Sequence, residues 1–329
     1  MNSPVESECA AVCVGERENE LVAAECAALT GAMPDRALTH AVARNADIRR
    51  IPRAAYLRFG VRVVAEAPDL GALCRQLRAC SFRADGFRIE FCRLDPDAPL
   101  KRTEAVPAAA NAIDGRPNLS NPSERFLLAA MGGSVLFGRI ETEPNRSYET
   151  HQRKPRRMSS SLPPRLARAM ANLAPDARTL IDPCCGSGSI LLEAAALGMR
   201  AVGCDLNPKM VGMTLENARH FGYEIEAFKA DARTLRRRAD VVSTDLPYGK
   251  NLQADAANLQ AIAANAARLA PMAVIAAGAD IRPWMRAAGF ADARVYKVPK
   301  NAHFARYIHT GVSRWKPSIL KGAADARRE

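Results

Sequence analysis

From residue 165 onward, apolar residues recur in two alternating rhythms. The runs TLIDPCC (179–185), AVGCDL (201–206), IEAFKAD (225–231), ADVVSTDL (239–246) and MAVIAAG (272–278) are short, largely apolar and bounded by turn residues, and they predict strands. Between them lie SILLEAAALG, PKMVGMTLENARHFG and ADAANLQAIAANAARLA, followed later by IRPWMRAAGF, all with apolar residues at helical spacing. Strands alternating with helices of about 10–15 residues imply right-handed crossovers and a largely parallel sheet. ARVYKVP and ARYIHTGV predict a closing antiparallel pair. Ligands of such sheets bind at the carboxyl ends of the strands.

The first half has a different rhythm. NELVAAECAALTGAMP (19–34) predicts a helix stopped by Gly31 and Pro34, and LGALCRQLRAC (70–80) predicts another after AAYLRFGVRVVAEA (54–67). SFRADGFRIEFCRL (81–94) alternates around Asp85-Gly86 as paired strands do, and 118–141 ends in an apolar run broken by two glycines. These patterns predict an α+β region over 1–150. Residues 151–164 read as a basic linker because they are polar, basic and proline-bearing. An α/β domain then follows over 165–320, with a tail at 321–329.

Composition narrows the classes. With 329 residues, 48% hydrophobic and 25% charged, the chain has the make-up of a globular protein of two domains. The N-terminal stretch is acidic and lacks the order of a signal peptide. No apolar run reaches the ~18 residues that span a bilayer, so a cytoplasmic protein without a membrane partner is expected. The nine cysteines are dispersed and never form a Cys-x-x-Cys pair, so no metal site is expected. Charge is uneven. Residues 1–150 hold 19 Lys+Arg against 20 Asp+Glu, whereas 151–329 hold 28 against 15. An excess of +13 confined to one half favours a polyanionic partner, most often nucleic acid, over charge that merely aids solubility.

DPCCGSGSILLEAA (182–195) carries the strongest chemistry. Asp182 closes a strand, Gly186 and Gly188 form a tight turn, and a helix begins at once. Glycine admits positive φ and close ligand approach, and amides at a helix start favour an anion. Nineteen residues beyond Gly186, Asp205 ends the next strand, placed to take ribose hydroxyls. A dinucleotide fingerprint wants a third glycine, but Leu191 stands there, and an ordinary strand–helix turn would not explain both acids. Asp231 in KADAR adds a third strand-end acid, which alone could be a helix cap. TDLPYG (244–249) then ends the fourth strand in Asp245, Leu246, Pro247 and Tyr248. Acids after three strands without a phosphate cradle suit S-adenosylmethionine. That cofactor carries carboxylate, ammonium, ribose and adenine but no phosphate.

Taken together, DPCCGSGSIL, GCDLNP, KADA and TDLPYG resemble the class I methyltransferases that methylate amino groups. SSLPPRLARAMANLA (160–174), GRPNLSNPSERFLL and VLFGRIE resemble one branch of these, the THUMP-domain tRNA guanine-N2 methyltransferases that act on position 10. The resemblance implies a Rossmann-like class I methyltransferase sheet preceded by an α+β THUMP-like RNA-binding region. It assigns the cofactor S-adenosylmethionine to Asp182, Pro183, Cys184, Gly186, Ser187, Gly188, Asp205, Asp231 and Ala232. Catalysis falls to Asp245, Leu246, Pro247 and Tyr248: Asp245 and the Leu246 carbonyl would hold the amine, Pro247 the turn, and Tyr248 the base. The family usually carries a second proline where this chain has Leu246. Two basic segments complete the expectation for tRNA, with an accessory protein or none. Arg153, Lys154, Arg156 and Arg157 lie in the linker, and Lys297, Lys300 and Arg306 interleave with Tyr296, Phe304 and Tyr307. Other readings keep the same motifs: an N-methyltransferase of ribosomal RNA guanine or another amino group, or an RNA-binding protein without catalysis.

Overall fold

Six strands build the sheet of the first unit, Met1–Asn145. They are β1 (Cys9–Val14), β2 (His40–Ala43), β3 (Leu57–Ala67), β4 (Phe87–Arg93), β5 (Glu124–Met131) and β6 (Ser134–Thr142), in the order β2-β1-β3-β6-β5-β4. Among the described residues, three α-helices accompany them: α1 (Glu20–Thr30), α2 (Leu70–Ala79) and α3 (Arg102–Ala110). This is a computed structural model, and it describes residues 8–14, 20–34, 40–95, 98–247, 256–301 and 304–313. Side chains alternate across a strand, so the unbroken apolar run of β5 supplies two separate cores. Phe126 and Leu128 join Phe87, Phe137, Leu73 and Leu77, while Leu127 and Ala129 join Val12, Phe59, Val61 and Leu136. Phe126 and Phe137 stack with centroids 5.1 Å apart.

Two features of this unit depart from the sequence expectation. Only Phe87–Arg93 of the expected strand pair around Asp85-Gly86 is a strand, and it pairs in parallel with β5. The turn is held from elsewhere: Asp85 accepts the Arg116 N–H through its side chain, and its carbonyl accepts the Ser123 hydroxyl. Strand β1 and helix α3 were not expected. Acidic flanks hide the first, and Pro107 interrupts the helical signal of the second.

The second unit, Arg146–Glu329, follows its predicted rhythm closely. In order come α4 (Pro164–Asn172), β7 (Thr179–Asp182), α5 (Ser189–Ala196), β8 (Arg200–Asp205), α6 (Pro208–Phe221), β9 (Ile225–Lys229), β10 (Val241–Asp245), α7 (Ala256–Leu269), β11 (Met272–Ala277), α8 (Arg282–Ala287), β12 (Phe290–Asn301) and β13 (Phe304–Ser313). The sheet runs β12-β13-β11-β10-β7-β8-β9, parallel from β11 through β9, with β13 antiparallel to both neighbours. Strand β7 is therefore central, with β8 and β9 on one side and β10 and β11 on the other. The crossover direction reverses between β7 and β10, where sheets of this kind open a crevice.

The unit boundary after Asn145 corrects the linker assigned to 151–164. Ser147–Arg153 is a 3-10 helix packed on α4 and α5, and Leu162 is buried. Polar composition misled because the polar groups here find partners inside the fold. Residues 314–329, which include the tail at 321–329, lie outside the described residues.

Candidate active site

Four aspartates meet at the carboxyl edge of the second sheet. Asp182, Asp205, Asp231 and Asp245 all line one cavity of about 470 Å³, within the size range of small-molecule sites. Leu206, Met210, Leu246 and Ile262 give it apolar walls. Leu206 is 61% exposed, an unusual position for leucine unless something else covers it.

The glycine-rich turn is shaped by its neighbours. Gly188 caps α5 with φ 81°, in the left-handed region that favours glycine. A Cβ built on it would meet Thr214 of α6 at 2.9 Å, and Gly188 itself does not line the cavity. Gly188 makes room for α6, and the cavity side of the turn is formed by Gly186, Ser187 and Ser189. Room between α5 and β8 comes from Gly203, where any Cβ would run into Leu191. Leucine can thus occupy the place where a dinucleotide fingerprint needs glycine.

Each acid has its own surroundings. Asp182 is 2% exposed and accepts from Thr244 Oγ1 at 2.6 Å and from the Cys184 N–H at 3.1 Å. The first bond ties β7 to β10 across the crevice. Burial raises the Asp182 pKa to about 7, and the charges of Asp245 and Asp205 add to the rise. Asp205 accepts the Gly186 N–H at 3.0 Å and the Asn207 N–H at 2.9 Å, so it fastens the glycine turn to the end of β8. Each of its oxygens keeps further acceptor capacity. Asp231 is gripped by Arg233, which lowers its pKa, and Arg233 also donates to Asn258. The thiols beside these acids stay protonated, since burial raises the pKa of Cys184, Cys185 and Cys204. No cluster of metal-ligating side chains occurs among the described residues.

At the end of β10, Asp245 is half-buried, Leu246 is buried and Pro247 is exposed. The Leu246 N–H donates to the Ala276 carbonyl at 2.9 Å, carrying the pairing with β11 one residue beyond the strand. Leucine at this place fills the core, which a second proline would not do as well. Pro183, Cys184 and Ala232 line the same cavity. Tyr248 lies outside the described residues.

The basic residues divide. Arg153, Arg157, Lys297 and Lys300 are exposed, and Arg156 is exposed while bonded to Glu216 at 2.7 Å. Lys154 and Arg306 are buried, at 5% and 3% exposure, which corrects their assignment to surface phosphate contacts. Lys154 Nζ donates to Ser187 Oγ at 3.0 Å and to Ser189 Oγ at 2.6 Å, and burial lowers its pKa to about 8. Beneath it lies a buried ionic cluster. Glu193 accepts from Arg168 Nε at 2.7 Å, and its other oxygen lies 2.6 Å from His151 Nδ1. Asn217 of α6 then bonds both Ser187 O and the backbone of Arg156. Sequence reasoning missed Ser161, Thr244, Arg233 and this cluster. Only the acids and glycines carried a local signal.

Residues 151–271 match the family model described as the RMKL-like methyltransferase domain. A tRNA (guanine(10)-N2)-dimethyltransferase of Methanothermobacter thermautotrophicus is 38% identical over 139 residues, which is 41% of this chain and 39% of that one. A tRNA (guanine(6)-N2)-methyltransferase of Thermus thermophilus is 33% identical over 214 residues, 59% of this chain and 62% of that one. The chain spans about two fifths of the length of the guanine(10) relatives it matches first. The crystal structure of TrmN from Thermus thermophilus superposes with a TM-score of 0.52 at 23% identity, over 93% of this chain and 99% of that one. In fold the chain is like this solved structure, and residues 151–271 match a methyltransferase domain by sequence.

Proposed function

We propose that the chain transfers a methyl group from S-adenosylmethionine to the exocyclic N2 of a guanosine in tRNA, in the cytoplasm. The observation that carries this reading is the convergence of Asp182, Asp205, Asp231 and Asp245 with the glycine turn on one cavity. Its groups fit the cofactor. Asp205 has acceptor capacity for ribose hydroxyls, Leu206 and Met210 offer apolar cover for adenine, and Asp182 and the serine hydroxyls suit an amino-acid end. When bound, the cofactor supplies a methyl group on a positively charged sulfonium.

The chain's own part is orientation. A guanine amine is a poor nucleophile because its lone pair is delocalised into the ring. Asp245 accepts one of its N–H groups and the Leu246 carbonyl the other, which localises that lone pair and aims it. Pro247 limits the freedom of the turn, and Tyr248 offers a face for the extruded base. We assign phosphate contacts to Arg153, Arg157, Lys297 and Lys300, and RNA binding of a THUMP-like kind to the first unit.

The guanine(10) relatives favour position 10. A second reading, position 6, is favoured by the longer match of 214 residues to the guanine(6) enzyme. The test is mass spectrometry of nucleosides and mapped fragments from unmodified tRNA incubated with the protein and cofactor. N2-methylguanosine at one of these positions is expected. Methylation of another base, or none, overturns the reading.

A further inference from the structure

Lys154 is a buried cation whose hydrogen-bond partners among the described residues are all neutral. Its ammonium bonds to the hydroxyls of Ser187 and Ser189, and no carboxylate of the described residues forms an ion pair with it. Glu193 is near enough to be felt, but its two oxygens are committed to His151 and Arg168. A charge taken out of water ordinarily keeps a counter-ion, because burial without one is costly.

The two hydroxyls point to where that counter-ion belongs. Ser187 and Ser189 line the cavity, as does Ser161, whose hydroxyl lies 2.9 Å from Ser187 Oγ. Lys154 itself does not line it. A serine that accepts from an ammonium keeps its own proton to donate, and the adjacent cation makes that proton a better donor. Elsewhere the cavity is lined by four aspartates, which repel anions, and its Arg233 is already engaged by Asp231 and Asn258. The serine cluster is the part of the cavity where an anion is favoured.

We infer that Lys154 is a positioning residue for the carboxylate of the cofactor's amino-acid end, to which Ser187 and Ser189 relay its charge. This rests on the proposed cofactor. It also explains why a lysine from a basic run is folded inward while its arginine neighbours face water.

The test is calorimetry of the full chain with two probes, S-adenosylhomocysteine and its decarboxylated analogue. The wild type should prefer the carboxylated probe by roughly tenfold to a hundredfold, as expected for a charge-assisted hydrogen bond. Lys154→Met should reduce that preference about tenfold or more, while affinity for the decarboxylated probe stays close to wild type. Lys154→Arg should restore part of it. Should Lys154→Met fail to fold, Ser189→Ala breaks the relay and must shrink the same preference. An undiminished preference in these variants, or equal loss of both probes in a folded variant, overturns the inference and leaves the cofactor reading standing. A wild type that binds neither probe overturns the cofactor reading and this inference with it.

Discussion

Residues 151–157 and 296–307 are both basic, yet the second unit uses them differently. In the first segment His151 and Lys154 are buried against Glu193, Ser187 and Ser189, and the Arg156 backbone is clasped by Asn217. In the second, Lys297 and Lys300 face solvent from an antiparallel strand pair, and Arg306 turns inward. One segment is framework for the glycine turn, and the other is available surface. Local composition does not separate these uses. What separates them is a set of partners some 30–60 residues away in sequence, such as Ser187, Glu193 and Asn217.

The largest effect should come from the framework side. Glu193→Ala leaves the fully buried Arg168 without its carboxylate and should cost about 3–5 kcal/mol in a denaturant titration. A loss below about 1 kcal/mol, the range of surface pairs, would dissolve the contrast.

Next in size is the pH response of Asp182. Its folded-state pKa of about 7 lies above the ordinary 3.8, so between these values the fold holds a proton that the unfolded chain has released. Its contribution to stability is full below the lower value and is lost as pH rises through about 7. Melts from acid to neutral pH should show the wild type losing stability relative to Asp182→Asn, which does not titrate. Parallel curves would mean that the acid is already ionised in the fold.

Gly188→Ala probes the packing under the same turn. The left-handed backbone alone costs about 1–2 kcal/mol for a non-glycine residue, and contact with Thr214 adds to it. A melt should therefore show clear destabilisation. An unchanged melting temperature would show that the turn can move away from α6.

On the surface side, Lys297→Ala with Lys300→Ala should change stability by no more than about 0.5 kcal/mol. The pair should still flatten the salt dependence of tRNA binding, by about one unit of slope for each phosphate that is no longer neutralised. An unchanged slope would make these two lysines ordinary solvated charge.

The second unit was legible in sequence where structure depends on neighbours in the chain. Strand runs, helical spacing and glycines announce themselves locally, and strand-end acids follow once the strands are placed. Asp182, Asp205 and Asp231 were therefore found together. The inward turn of Lys154, the lining role of Ser161 and the tie from Thr244 to Asp182 depend on long-range contacts that no window of the sequence contains. The same limit explains β4, whose partner is a parallel strand across an intervening helix instead of the adjacent run at 81–84. The close approach at Gly188 is to Thr214 of α6, another long-range contact that its local sequence does not announce.

The proposed methyl acceptor is an amino group, and the most direct test removes only that group. Once the target guanosine is mapped, a tRNA carrying inosine at that position keeps the ring and lacks the exocyclic N2. With radiolabelled S-adenosylmethionine, the guanosine tRNA should take up label and the inosine tRNA should take up none. Equal labelling of the two would contradict the account.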